Sequence, residues 1–127
     1  MEPGARFEHT LEVTPDLAVN FLGLETARVL GTPFLIYNLE IAARNAVLPL
    51  LEPGYDTVGT LVNVRHLAAT PLGMRVTFQA ELIEATEKRV LFHVQAHDEK
   101  EQIADGTHER AIIHVARFGA RVQAKRA

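Results

Sequence analysis

An almost uncharged segment in the first half of the chain places the strongest constraint on the fold. Residues 34–48 are apolar on nearly every face when drawn as a helix, and only Glu40 and Arg44 are charged. Thr32 and Pro33 precede the segment as a capping residue and a proline at the first helical position. A helix that is hydrophobic all round is normally buried all round. The rest of this chain is therefore expected to wrap around one long helix.

The remaining sequence supplies strands for that purpose. Residues 6–13 predict a first strand, Thr14-Pro15 predicts a short irregular helical segment over about 16–31, and the pattern changes to period two after Gly54. Alternation predicts four further antiparallel strands in a meander, with a turn at residues 71–73 and a last strand over about 103–115. The inward rows are predicted as Val58, Thr60, Val62, Val64, His66; Val76, Phe78, Ala80, Leu82; and Val90, Phe92, Val94, Ala96.

One curved antiparallel sheet around one central helix is the hot-dog arrangement, an α+β fold. The length of 127 residues fits a single domain, with a basic tail from about residue 119. A single curved sheet leaves strand edges unpaired, and a second copy would satisfy one of them. We therefore expect a homodimer, with a dimer of dimers left open.

Composition excludes several classes of function. The chain has no cysteine, which excludes a disulfide scaffold, a thiolate zinc site and a cysteine nucleophile. A net charge of -3 argues against a general nucleic-acid binder. No segment reaches the ~18 apolar residues of a membrane helix, and the N-terminus has no signal-peptide pattern. We expect a cytoplasmic protein without membrane or nucleic-acid partners.

Glu40 is the most informative polar residue because it lies midway along the most apolar helix. A carboxylate there is costly unless it is paired or faces a cleft. The alternative is an exposed pair with Arg44, four residues further along the helix.

Three other residues are candidates for the same site. His66 extends an inward row of strand residues, where it is either a proton shuttle or a satisfied core histidine. Thr32 is read as the helix cap, and the free N–H groups at such an end can also polarise a carbonyl. Gly59 lies inside a strand, which indicates a bulge or a close approach of the backbone to a ligand.

The other histidines and the basic tail give weaker signals. His93 and His97 are about 13 Å apart along a strand, too far to share one metal, and we predict no metal site. The tail places Arg117, Arg121, Lys125 and Arg126 in the last eleven residues. A solvated end is favoured over phosphate binding for this segment.

Taken together, these residues resemble the fluoroacetyl-CoA thioesterase family of hot-dog proteins over roughly residues 6–122. The motifs that carry the resemblance are Gly31-Thr32-Pro33-Phe34, Leu39-Glu40, Leu51-Glu52-Pro53-Gly54, Val58-Gly59-Thr60, His66-Leu67-Ala68-Ala69-Thr70-Pro71-Leu72-Gly73 and Gly106-Thr107-His108-Glu109-Arg110-Ala111. The resemblance implies hydrolysis of a short-chain acyl-CoA thioester, with no cofactor beyond the CoA of the substrate.

The resemblance also implies roles for individual residues. Thr32, Glu40 and His66 match the catalytic threonine, glutamate and histidine of the family. Gly59 matches the glycine whose backbone contacts the thioester carbonyl, and Arg110 matches a family arginine expected to bind substrate. The fluoroacetate-specific member carries a phenylalanine in a lid before the threonine, whereas residues 23–30 here contain no aromatic residue. The resemblance therefore leaves the acyl group open.

The positions of Thr32 and Glu40 constrain the site. They are about 12 Å apart if Thr32 begins the helix, at about 1.5 Å per residue. Either the helix begins later, or both protomers contribute to one site. Two other functions remain alternatives: a hot-dog acyl-CoA hydratase or dehydratase, and a non-catalytic acyl-CoA binding module.

Overall fold

The computed structural model describes residues 1–126 and contains one five-stranded antiparallel sheet with a long helix against it. The strands follow the order β1-β3-β4-β5-β2 across the sheet. Their bounds, with those of the helices, are β1 (Arg6–Glu12), α1 (Thr32–Val47), β2 (Tyr55–His66), β3 (Arg75–Ala85), β4 (Arg89–Asp98), β5 (Gln102–His114) and α2 (Val115–Ala124). Short 3₁₀ turns at Pro15–Leu17, Glu25–Ala27 and Leu48–Leu50 complete the structure. The hot-dog expectation is confirmed.

The core lies between α1 and the concave face of the sheet. The alternating residues of β3 and β4 are inward-facing as predicted, and Phe78 and Phe92 are the largest side chains buried there. The buried residues of α1 recur at intervals of three and four, which is the spacing of one helix face: Leu35, Asn38, Leu39, Ala42, Ala43, Ala46 and Val47. Burial of these two surfaces against each other provides the main apolar contact of the fold.

The helix is not buried all round, so that prediction is wrong for this chain alone. Phe34 is 38% exposed and Tyr37 is 61% exposed, both in the first two turns. A single curved sheet covers one side of a helix, and the opposite side of α1 faces outward. Thr32 is also not the cap: Gly31 occupies the N-cap position and Thr32 is the first helical residue, with its hydroxyl directed elsewhere.

The predicted four-strand meander is only partly correct. β3, β4 and β5 are sequential neighbours, but β2 pairs with β5 at the far edge and not with β3. The connection over residues 67–74 is too long for a tight hairpin, and Thr70 anchors it by donating to Asp98 Oδ2 at 2.8 Å. Gly73 has a φ of 86° at the predicted turn. As a result β2 is an edge strand.

A β-bulge in β2 changes which of its residues face the helix. The pairing with β5 shifts between Gly59 and Leu61, as the glycine indicated. Gly59 therefore shares the inward face with Val62 and His66, while Val58 faces away, contrary to the predicted row. One extra residue in the strand accounts for this change of face.

The basic C-terminal segment forms a helix, which the sequence analysis did not predict. α2 follows β5 directly, and His114 caps it by accepting a hydrogen bond at Nδ1 from the Arg117 backbone N–H at 3.3 Å. Within residues 1–126, none of the helices is both long and apolar enough to span a membrane.

Candidate active site

The predicted site residues form two separate groups in one protomer. Thr32 and His66 form one group, where the Thr32 hydroxyl and His66 Nδ1 are 2.8 Å apart. Glu40, Gly59 and Arg110 form the other. Because α1 does begin at Thr32, the two groups are about 12 Å apart along the helix. The geometry therefore excludes the possibility of a later helix start.

Arg110 makes the hydrogen bonds that position Glu40 in the second group, Glu40, Gly59 and Arg110, which we call the glutamate group. Its Nη1 donates to Glu40 Oε2 at 3.2 Å, while its Nε and Nη2 donate to the hydroxyl and carbonyl of Thr57 at 2.7 and 2.8 Å. The Arg110 side chain is 6% exposed, whereas that of Glu40 is 36% exposed. Burial lowers the pKa of Arg110, and the Glu40 charge opposes this shift. Arg110 thus holds one carboxylate oxygen in place while the Glu40 side chain remains partly exposed.

The alternative pairing of Glu40 with Arg44 does not occur. Arg44 instead forms a bidentate pair with Asp56 on β2, with distances of 2.9 and 2.6 Å. The Arg44 hydrogen bond is the largest cause of the lowered pKa of Asp56. This ion pair connects the next turn of α1 to β2. Because Arg44 is paired with Asp56, Glu40 pairs with Arg110 instead.

His108 belongs to this group, although the sequence analysis gave it no role. Its Nδ1 lies 2.8 Å from the Leu61 carbonyl, and its Nε2 lies 3.2 Å from Arg110 Nη1. The neutral tautomer with a proton on Nδ1 satisfies both contacts. Burial is the main cause that lowers the pKa of His108. His108 and Arg110 are two residues apart on one strand, and residues with this spacing face the same side. This spacing is the sequence signal that could have predicted that the two side chains lie together.

Gly59 lies against the carboxylate of Glu40. A Cβ built at this position would come within 2.8 Å of Glu40 Oε2 and 3.3 Å of His108 Cε1. Only a residue without a side chain leaves the backbone here open beside the carboxylate. The bulge indicated by Gly59 is confirmed, whereas the close approach of a ligand to its backbone stays a prediction.

Substitution of Gly59 with alanine tests this close approach. We expect a loss of at least about tenfold in the acyl-CoA hydrolysis that the family resemblance implies, since the new methyl group would displace the Glu40 carboxylate from Arg110. Steady-state turnover of acetyl-CoA measures it. Gly119→Ala is the matched control, because a Cβ there meets no atom within 4 Å. Equal activity in both variants would contradict the assigned position of Gly59.

The Thr32–His66 group lines a cavity of about 450 Å³. Burial lowers the pKa of His66, and its Nε2 is buried without a hydrogen-bond partner in the described part of the chain. Apolar side chains from the preceding loop, including Phe21 and Leu22, form one wall, but neither Glu40 nor Arg110 contributes. A largely neutral imidazole with an unused nitrogen is suited to proton transfer.

Comparisons with known proteins agree with the fold and with thioesterase activity. A protein-family model described as fluoroacetyl-CoA-specific thioesterase matches residues 13–116. A curated fluoroacetyl-CoA thioesterase from Streptantibioticus cattleyicolor is 40% identical, over 98% of this chain and 94% of that protein. A solved structure of the threonine-to-serine mutant of FlK in complex with acetyl-CoA has a TM-score of 0.89 at 39% identity, covering 98% of both chains.

A more distant structure supports the fold alone. The hot-dog-like protein from Thermanaerovibrio acidaminovorans is 22% identical and has a TM-score of 0.87, covering 97% of this chain and 91% of that one. Together, the fold and the comparisons define a thioesterase of the hot-dog class. Within that class, the chain belongs to the fluoroacetyl-CoA-specific thioesterase family.

Proposed function

We propose that this protein hydrolyses short-chain acyl-CoA thioesters to a free acid and CoA. The observation that carries the proposal is the Glu40 carboxylate, which Arg110 holds at 3.2 Å beside the open backbone of Gly59. The related FlK mutant was solved in complex with acetyl-CoA, which supports a small acyl-CoA as substrate. Such a substrate also suits the single-domain, cytoplasmic protein expected from the sequence.

The proposed chemistry uses the residues that the resemblance singled out. Glu40 removes a proton from water, or attacks the carbonyl carbon itself, and the charge that develops on the carbonyl oxygen is met by the Gly59 backbone. The carbon–sulfur bond then breaks, and the proton that Glu40 took from water passes by way of His66, which Thr32 orients, to the CoA thiolate. If Glu40 attacks directly, water hydrolyses the resulting anhydride in a second step.

A homodimer joins the two groups in this proposal. Among residues 1–126, β2 is an edge strand whose one strand partner is β5, and residues 59–63 on it are exposed. If two copies of β2 pair antiparallel around an axis between Val62 and Asn63, each Gly59 lies opposite the partner's His66. Residues opposite each other in an antiparallel pair point to the same face. The arrangement therefore brings Glu40 of one protomer to Thr32 and His66 of the other.

Thiol release across a panel of acyl-CoAs tests the reaction. We expect acetyl-CoA and other short acyl groups to be hydrolysed, with turnover falling as the chain lengthens beyond what the site can hold. Fluoroacetyl-CoA belongs in the panel because the curated relative carries that substrate in its name. Addition of water to an enoyl-CoA without thiol release would instead indicate a hydratase. Tight CoA binding without any turnover would indicate a binding module.

A further inference from the structure

A second groove, outside the catalytic groups, lies where the sheet ends against α2. It encloses about 490 Å³, and its lining includes four cationic side chains: Lys88, Arg89, Arg117 and Arg121. We call it the cationic groove. The chain as a whole carries a net charge of -3, so the local charge of this groove is opposite in sign to the net charge. Local potentials of this kind attract anionic ligands.

The four cationic side chains come from two parts of the chain, the β3–β4 turn with the first residue of β4, and α2. Lys88 lies in the turn between β3 and β4, where its carbonyl accepts a hydrogen bond from the Ile112 N–H at 2.8 Å. Arg117 and Arg121 are one turn apart on α2 and share a face. Arg117 Nη2 also donates to the Tyr55 hydroxyl at 3.2 Å, which fixes the guanidinium against β2.

Three of the four charges remain unneutralised by carboxylates. Arg89 pairs with Glu109 at 2.8 Å. Within residues 1–126, Lys88, Arg117 and Arg121 form no salt bridge. Arginine forks and lysine ammonium groups are the side chains that bind phosphate oxygens. Three such groups around one groove suit a ligand with several phosphates.

The groove also lies along the strands that carry the catalytic glutamate group. Tyr55 is paired with His114 at one end of β2 and β5, and Gly59 is paired with Arg110 four residues further along. At about 3.3 Å per residue, the two positions are about 13 Å apart. The pantetheine arm of CoA joins its thioester to its phosphates over a comparable distance. A thioester held beside Gly59 can therefore place its phosphates in the groove.

We infer that the cationic groove binds the phosphates at the nucleotide end of CoA. This inference rests on the proposed acyl-CoA substrate and assigns a binding role to Lys88, Arg117 and Arg121. The groove gives affinity for the part of the substrate that does not react. Its contribution is therefore expected in KM, while kcat depends on the groups around Glu40.

Kinetics with two substrates test the inference. In the Arg117→Ala/Arg121→Ala variant, we expect the KM for acetyl-CoA to rise about tenfold or more, with kcat unchanged. Acetyl-pantetheine lacks the nucleotide phosphates, so its kinetics should be the same in the variant and the parent. Arg75→Ala removes an exposed arginine elsewhere on the sheet and serves as the control. An unchanged KM for acetyl-CoA would overturn the inference.

A binding measurement separates this inference from the proposed reaction. Calorimetry with adenosine 3′,5′-bisphosphate should show binding to the parent protein that weakens with salt and is lost in the double variant. If the protein hydrolyses no acyl-CoA but this difference in binding persists, the groove assignment stands and the proposed reaction fails. Equal binding by both proteins would overturn the groove assignment. Loss of oligonucleotide binding with unchanged acetyl-CoA kinetics would also overturn it, and would indicate a nucleic-acid site.

Discussion

Replacing Glu40 with glutamine is expected to abolish most acyl-CoA hydrolysis, with a loss of about 10²–10⁴-fold in kcat. The substitution keeps the size of the side chain and an oxygen that can accept the hydrogen bond from Arg110 Nη1. It removes the negative charge and with it the ability to take a proton or attack a carbonyl. Thiol release from acetyl-CoA measures the effect.

The folded state of that variant needs a separate measurement. Arg110 also donates to Thr57, so it remains hydrogen-bonded when Glu40 is replaced, and we expect only a modest change in Tm. Glu84→Gln is the control, since Glu84 is an exposed carboxylate on β3 away from the site. A folded Glu40→Gln protein with the turnover of the parent would contradict the role of Glu40.

A mixture of two inactive variants is expected to regain activity. In the proposed homodimer, Glu40→Gln and His66→Ala each remove one group from every composite site of their own dimers. In a mixed dimer, one of the two composite sites receives Glu40 from one protomer and His66 from the other, and is intact. With free exchange of subunits, half of the dimers are mixed, and we expect about a quarter of the parent activity. Thiol release after co-expression with two affinity tags measures it.

The control for this experiment is a mixture that can form no intact site. Glu40→Gln combined with the Glu40→Gln/His66→Ala double variant supplies no Glu40 in any dimer, so no activity should return. Tandem purification through both tags establishes that mixed dimers are present. Mixed dimers of the two single variants that remain inactive would place both groups of a site within one protomer, and the proposed dimer site would be wrong.

Most of the fold could be predicted from alternation along the chain. The inward rows of β3 and β4 are correct because each strand is regular and buries one face, so that the period of two maps directly onto burial. The position of β2 could not be predicted in the same way. Its pairing with β5 depends on the path of the connection over residues 67–74, which local pattern does not specify. The bulge at Gly59 was indicated by the glycine, but its effect on the facing of Val58 was not.

The sequence singled out candidate site residues one by one, but it did not predict which of them are in contact. Glu40 stood out because it interrupts an apolar helix, and the structure gives it a buried cationic partner. That partner is Arg110, seventy residues away, and not the nearby Arg44. The sequence analysis gave His108 no role, because its contact with Arg110 is visible only once the strand is folded beside α1 and β2.

By itself, the sequence determined the long central helix, the existence of the strands and the inward faces of β3 and β4. One apolar helix and several alternating strands require a curved sheet wrapped around the helix, since no other arrangement buries both. Only the tertiary structure decided that Thr32 lies with His66 and Glu40 with Arg110, in two groups about 12 Å apart along α1. The physical reason is that burial patterns arise from local periodicity, whereas a partly buried ion pair depends on which distant elements become neighbours. In this chain, β5 joins β2, and their pairing brings Arg110 to Gly59 and Glu40.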